Sequence, residues 1–227
     1  MEILNDIDFE LDTRTLMQQA SVPPNSPDAE QFTHLLNLAR SAGRPKAAYR
    51  ECFIDARSDE TVTIDGVTFT SRALCLNLKD VQRVFPYVAT CGIELDRAYR
   101  PAGDVLADFW WDTIKAHLLG AAVQHFNEHL TNRFRLPKTT AMSPGSGDVN
   151  VWPIEQQKHL FSLLGEVQQA IGVTLTDSCL MIPNKTVSGI TFPAGHDFRA
   201  CQVCRREVCP SRSAPFDPEL WAAIQHD

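Results

Sequence analysis

Apolar side chains recur at every fourth position along one stretch of this chain: Trp110, Ile114, Leu118, Ala122, Phe126, Leu130 and Phe134. Residues spaced in this way stay on one face of an α-helix. The pattern therefore predicts one long helix from Asp104 to about Phe134. Pro137 ends it, because a proline ring offers no N–H to the helical ladder. The rest of the fold has to accommodate that helix.

A second helix is signalled by Ser26 as N-cap and Pro27 at the first helical position. Phe32, Leu35, Leu36 and Ala39 share its apolar face, and Gly43 with Pro45 stops it. Strand signals lie between the two helices. "AAYRECFI" alternates, "TVTIDGVTF" places Asp65-Gly66 between two β-rich runs, and "VFPYVATCG" reads as a buried strand ending at Gly92. After a loop, "AMSPGSGDVNVWP", comes a shorter helix with Pro153 at its start and Gly165 at its end. "GVTLTDSCLM" and "VSGITF" follow as two strands around the turn "IPNKT", and a polar tail closes the chain. Hairpins and helices mixed in this way predict an α+β fold, a largely antiparallel twisted sheet with flanking helices. Three regions are expected within one compact domain: 1–83, a core at 84–195, and a cysteine-rich segment at 196–227.

The net charge of −7 disfavours bulk nucleic-acid binding and suits a basic protein partner. No apolar run approaches the roughly 20 residues of a membrane span. The acidic, alternating start "MEILNDIDFELD" is not a secretory signal, so a reducing cytoplasm is expected. There the seven cysteines read as metal ligands, core residues or reactive thiols before disulfides.

Three of them form Cys201-x2-Cys204-x4-Cys209, followed by Pro210. Closely spaced thiolates build both zinc and iron–sulfur sites. Cys179 is the candidate fourth ligand and Cys91 the alternative, while Cys52 and Cys75 sit in apolar, core-like contexts. The four-residue gap differs from the paired repeats of zinc ribbons. The reading favours an iron–sulfur cluster, of the 4Fe-4S kind, over structural zinc, a redox thiol pair or no metal. Arg199, Arg205, Arg206 and Arg212 stand among these thiols against Glu207 alone, and guanidinium groups favour thiolates. His117, His125 and His129 on the long helix lack an acidic partner pattern and read as solvent-facing. Trp110 and Trp111 read as packing residues, Asp177 as structural, and Asn184 and Lys185 as the tip of the hairpin.

From residue 84 onward the order resembles the reactivation domain of cobalamin-dependent methionine synthase and its free-standing bacterial relatives. "FPYVATCGIELDRAY" has that family's pattern before its long helix. Ser143-Pro144-Gly145 falls where the family has its Arg-x-x-Pro-Gly-Tyr loop. In "IGVTLTDSCLMIPNKTVSGI", Leu175, Thr176, Ser178, Met181, Pro183, Val187, Ser188 and Gly189 fall in register with its hairpin. The resemblance covers nearly the whole chain and is strongest over 84–192. It implies a C-shaped domain that docks on a corrinoid protein or cobalamin-dependent methyltransferase. In the family that domain returns cob(II)alamin to the methylated state with S-adenosylmethionine, using a separate electron source.

The family's loop arginine falls on Ala141, its tyrosine on Ser146 and a helix glutamate on Ala121. An arginine clamp on a carboxylate has no neutral equivalent, so weak or no S-adenosylmethionine binding is expected. Ser143, Pro144, Gly145, Ser146, Gly147 and Asp148 remain the candidate cofactor-binding loop, through the backbone N–H groups of Gly145 and Gly147. The functional expectation is reductive reactivation of a corrinoid protein, the cluster passing it an electron from a ferredoxin-type donor. The alternatives are a non-redox docking or chaperone module with structural zinc, or a methyl-donor site like the parent domain's.

Overall fold

The structure, a computed structural model, describes residues 1–100, 103–194 and 198–225. The expected boundary between 195 and 196 lies outside the described residues. The first half contains β1 (Glu2–Leu4), α1 (Thr13–Gln19), α2 (Pro27–Ala42), β2 (Lys46–Tyr49), β3 (Cys52–Arg57), β4 (Thr61–Ile64), β5 (Val67–Thr70), α3 (Arg72–Asn77) and β6 (Arg83–Thr90). The second contains α4 (Glu94–Ala98), α5 (Val105–Phe134), β7 (Thr139–Met142), α6 (Gln157–Leu164), α7 (Val167–Ile171), β8 (Thr174–Leu175), β9 (Met181–Ile182), β10 (Thr186–Pro193) and α8 (Pro218–Gln225). The fold is α+β, as the alternation of hairpins and helices predicts.

Strand β6 is the centre of the sheet. It pairs antiparallel with β10 on one side and with β2 and β3 on the other; β10 carries β7, and β2 carries β1. Both faces of β6 are covered. Phe85, Tyr87 and Ala89 meet Ala122, Phe126 and Leu130 of α5, while Val84 and Val88 meet Trp152, Leu160 and Ile190 on the opposite face. Double burial explains why this strand reads as an unbroken apolar run rather than an alternating one.

The single strand expected over "AAYRECFI" is two. Tyr49 pairs with Tyr87 and Cys52 with Val84, so one register runs through both β2 and β3. Between them Arg50 N donates to Pro86 O at 3.0 Å, but proline has no N–H to return. The ladder opens there, and β3 turns away to build the β4–β5 hairpin. Asp65 (φ 43°) and Gly66 (φ 80°) give that hairpin its left-handed turn.

Helix α5 runs from the Asp104 cap to Arg135, whose left-handed conformation (φ 53°) closes it. Its N-terminal half packs on α1 and α2 around Phe32 and Trp110, and its C-terminal half covers the sheet. "GVTLTDSCLM" is a tight hairpin rather than one strand. Only Thr174–Leu175 and Met181–Ile182 pair, because Thr176 turns the chain by accepting Leu180 N on its hydroxyl at 3.0 Å and donating its own N–H to Leu180 O at 2.9 Å. Among the described residues no helix is long and apolar enough to cross a membrane.

Candidate functional site

The loop after β7 begins where β10 lacks a side chain. A Cβ on Gly189 would lie 2.5 Å from Met142 O and 2.7 Å from Ser143 Oγ. That glycine lets β7 enter the sheet and brings Ser143 to the core. Tyr87, opposite Gly189 in the register, is pushed up to about 12 by burial, partly offset by a hydrogen bond with Ser143.

Pro144 is buried. Gly145, at φ 76°, donates its N–H to Trp152 O at 2.7 Å, and Ser146 N donates to Ser143 O at 3.1 Å. The Gly145 N–H is thus spent within the loop and is not free for a ligand, contrary to the sequence expectation. Gly147, at φ 88°, passes so close to the C-terminal segment that a Cβ there would lie 2.9 Å from Ala200 O. Asp148 accepts Asn150 N at 3.2 Å and Arg205 Nε at 3.0 Å. Its carboxylate, only 11% exposed, is already committed to that arginine.

The fold therefore brings the two segments singled out in the sequence, 143–148 and the cysteine tail, into direct contact. The tail is not ragged. A short 3-10 turn, Ala200–Val203, buries Val203 in the main core beside Phe198 and Ile224. Arg212 ties the following segment together by donating to the carbonyls of Cys201 (3.0 Å), Cys204 (3.2 Å), Ala214 (3.4 Å) and Arg206. Arg205 lies 4.6 Å above the Trp221 ring, a cation–π contact to α8. Arg205 and Arg212 are thus staples of the tail. Sequence reasoning missed α8 and read the end of the chain as a polar tail.

Cys201, Cys204 and Cys209 are free thiols of intermediate exposure. The Ser213 hydroxyl and N–H donate to Cys201 Sγ at 3.5 and 3.4 Å. With a smaller contribution from Arg212 they hold this thiol below the usual range. Cys179 is buried at φ 63° in the β8–β9 turn. Cys91 is fully buried at the end of β6, where desolvation pushes its thiol up to about 12, the opposite of what a ligand thiolate needs. Among the described residues no three Cys, His, Asp or Glu side chains converge on a position that could hold a metal ion. As folded, the thiols named from the spacing do not fit a preassembled four-thiolate centre.

These environments predict an order of reactivity. In native protein near pH 7.5, iodoacetamide should modify Cys201 well before Cys91 or Cys52, whose thiol burial also pushes up to about 12. Peptide mass spectrometry over time reads the order, and equal rates would contradict it.

The turn between β9 and β10 is docked on α5. Lys115, buried, reaches Asn184 Oδ1 at 2.6 Å, Asp96 Oδ1 at 3.1 Å and Asp112 Oδ1 at 3.4 Å; Lys185 meets Asp112 Oδ2 at 3.1 Å. Asn184 and Lys185 are thus fastened to the helix rather than presented at a free tip. Burial works against the Asp112 charge, but Asn184, Lys185 and Lys115 outweigh it and hold the carboxyl below its ordinary value. A depressed folded-state value contributes stability above the ordinary carboxylate pKa, and that stability is lost as pH falls through the folded value. Below about pH 4, hydrogen exchange over residues 181–186 is therefore expected to accelerate relative to β6, and a ratio of the two that does not change with pH would contradict the assignment.

Two of the helix histidines are half-buried and have partners. His129 Nε2 lies 2.9 Å from Tyr49 Oη, and His117 Nε2 lies 3.0 Å from Glu10 O. Ala121, where the family's helix glutamate falls, lines a groove with Asp8, Phe9 and Glu10.

The architecture defines a class, an α+β module whose antiparallel sheet carries one long helix and a glycine loop closed by a C-terminal strap. The particular fold is that of the methionine synthase reactivation domain. The crystal structure of the MetH reactivation domain bound to AdoHcy matches with a TM-score of 0.57 at 14% sequence identity, covering 88% of this chain and 81% of that one. Residues 136–208 match the family model described as vitamin B12 dependent methionine synthase, activation domain. No curated protein matches the chain in sequence.

Proposed function

We propose that this protein is a reactivation module for a corrinoid protein or cobalamin-dependent methyltransferase. The carrying observation is that the segment matching the activation-domain family, 136–208, includes both the 143–148 loop and the cysteine turn that closes on it through Gly147–Ala200 and Asp148–Arg205. A glycine-shaped loop with internal hydrogen bonds suits a protein that positions a partner's cofactor, since holding reacting groups in place is itself a large part of catalysis.

The donor side differs from the family pattern. Ala141 stands on the edge strand β7 and Ser146 is exposed on the loop, and neither offers a charged clamp for a carboxylate. The reading is therefore a docking and positioning module with weak affinity for S-adenosylmethionine. An electron-carrying cluster on Cys201, Cys204 and Cys209, with Cys179 or Cys91 and a ferredoxin-type donor, needs at least three thiols to converge, and among the described residues no three metal-ligating side chains do. No step is assigned to it.

The test mixes the purified protein with a corrinoid methyltransferase held as cob(II)alamin. A shift of the corrinoid's visible spectrum on complex formation, and faster recovery of the methylated form under a chemical reductant, are expected. No complex by calorimetry and no change in recovery would overturn the proposal. Iron and sulfide analysis of anaerobically purified protein decides the cluster separately.

A further inference from the structure

A second cleft lies far from the loop in sequence, between the β3–β4 turn, α3 and α8. It has a volume of about 530 Å³ and is lined by Arg57, Ser58, Asp59, Arg72, Lys79 and, on its apolar side, Leu76 and Ala223. Arg57, Arg72 and Lys79 stand here against Asp59 and the Glu60 that pairs with Arg72, a small positive excess in a chain whose net charge is −7. A local excess of positive charge on an acidic protein focuses anions.

The arrangement of the cations matters more than their number. Arg57 donates through Nε to Leu78 O at 3.1 Å and through Nη2 to Val81 O. These two carbonyls fix the plane of the guanidinium without neutralising it. Among the described residues no carboxylate pairs with Arg57 or Lys79. Arg72 pairs with Glu60 at 3.0 Å. An oriented guanidinium with donors to spare is a phosphate-recognition element, and a lysine adds a mobile point charge. The volume suits a small ligand rather than a polymer.

We propose that this cleft binds a small phosphate-bearing ligand through Arg57, Arg72 and Lys79. The inference does not depend on the corrinoid reading, because none of these residues belongs to the 143–148 loop or the cysteine turn.

Inorganic phosphate, pyrophosphate and ribose 5-phosphate, titrated into the full chain by calorimetry at fixed ionic strength, test it. Saturable one-site binding is expected for at least one of them. Lys79→Ala should weaken binding about fivefold, and the double variant Lys79→Ala/Arg72→Gln about tenfold or more, as expected for lost charge-assisted hydrogen bonds. Both side chains reach the surface, so the variants should keep the parent's melting temperature. Arg133→Ala, on the exposed side of α5, should bind like the parent. Tighter binding of the sugar phosphate would assign the cleft to an organic phosphate that uses the Leu76 wall, and equal affinity would assign it to the anion alone. Absence of saturable binding for all three, an unaffected Lys79→Ala, or equal weakening by Arg133→Ala overturns the proposal.

Discussion

Replacing Gly189 by valine is expected to destabilise the protein by about 3 kcal/mol and to detach β7 from the sheet. A Cβ at this position would meet Met142 O at 2.5 Å and Met142 C at 3.3 Å, both backbone atoms of the neighbouring strand. Backbone cannot swing aside as a side chain does, so either β10 or β7 must move. The edge strand is the weaker, since among the described strands β7 pairs with β10 alone, through Ile190, Thr191, Phe192 and Pro193. Its departure takes the 143–148 loop away from Ala200 and Arg205. Denaturant midpoints and amide exchange at residues 139–142 measure both effects. Gly189→Ala should show a smaller effect of the same kind. A valine variant with the parent's midpoint would show that the close approach is not a constraint.

Removing the aromatic ring of Phe126 should be at least as damaging. Phe126 is fully buried on α5, stacked on Tyr87 with ring centroids 4.6 Å apart and within 5.7 Å of Tyr49. Truncation of such a residue leaves a cavity as well as losing transfer energy, and Phe126→Ala is expected to destabilise by about 3–5 kcal/mol. That is a large fraction of the stability of an ordinary domain. Asn127→Ala, one residue along and exposed, should change stability by no more than about 0.5 kcal/mol. Parallel chemical denaturation separates the two, and similar losses for both would mean that α5 does not anchor the sheet as described.

The contrast between neighbouring positions shows which features were legible. The four-residue stripe predicted α5 almost to its ends, and Ser26 with Pro27 placed the start of α2, because helix periodicity and capping are local properties of the chain. Asp65-Gly66 predicted its turn for the same reason. The break between β2 and β3 was not legible, since it comes from Pro86 on another strand. Helix α8 left a signal that could have been read. Asp217 caps it by accepting Glu219 N and Leu220 N, Pro218 follows, and Leu220, Trp221 and Ile224 share a face.

The candidate site divides in the same way. The motif Thr186–Gly189, the Pro-Gly-Ser-Gly loop and the thiol spacing are visible in the chain. Their meaning depends on neighbours distant in sequence. The thiol spacing suggested ligands for one metal centre, yet burial raises Cys91, Ser213 occupies Cys201, and the candidate ligands do not converge.

By itself the sequence determined the two principal helices, the Asp65-Gly66 turn, the α+β class and the family resemblance, because helical periodicity, caps and turn residues act over a few bonds. Only the tertiary structure decided that the glycine loop and the cysteine tail face each other, that Arg205 and Arg212 serve as staples, and that Arg57, Arg72 and Lys79 share a cleft. Those outcomes depend on burial, close approach and paired charge between residues tens of positions apart, and spacing along a chain does not encode distance across a fold.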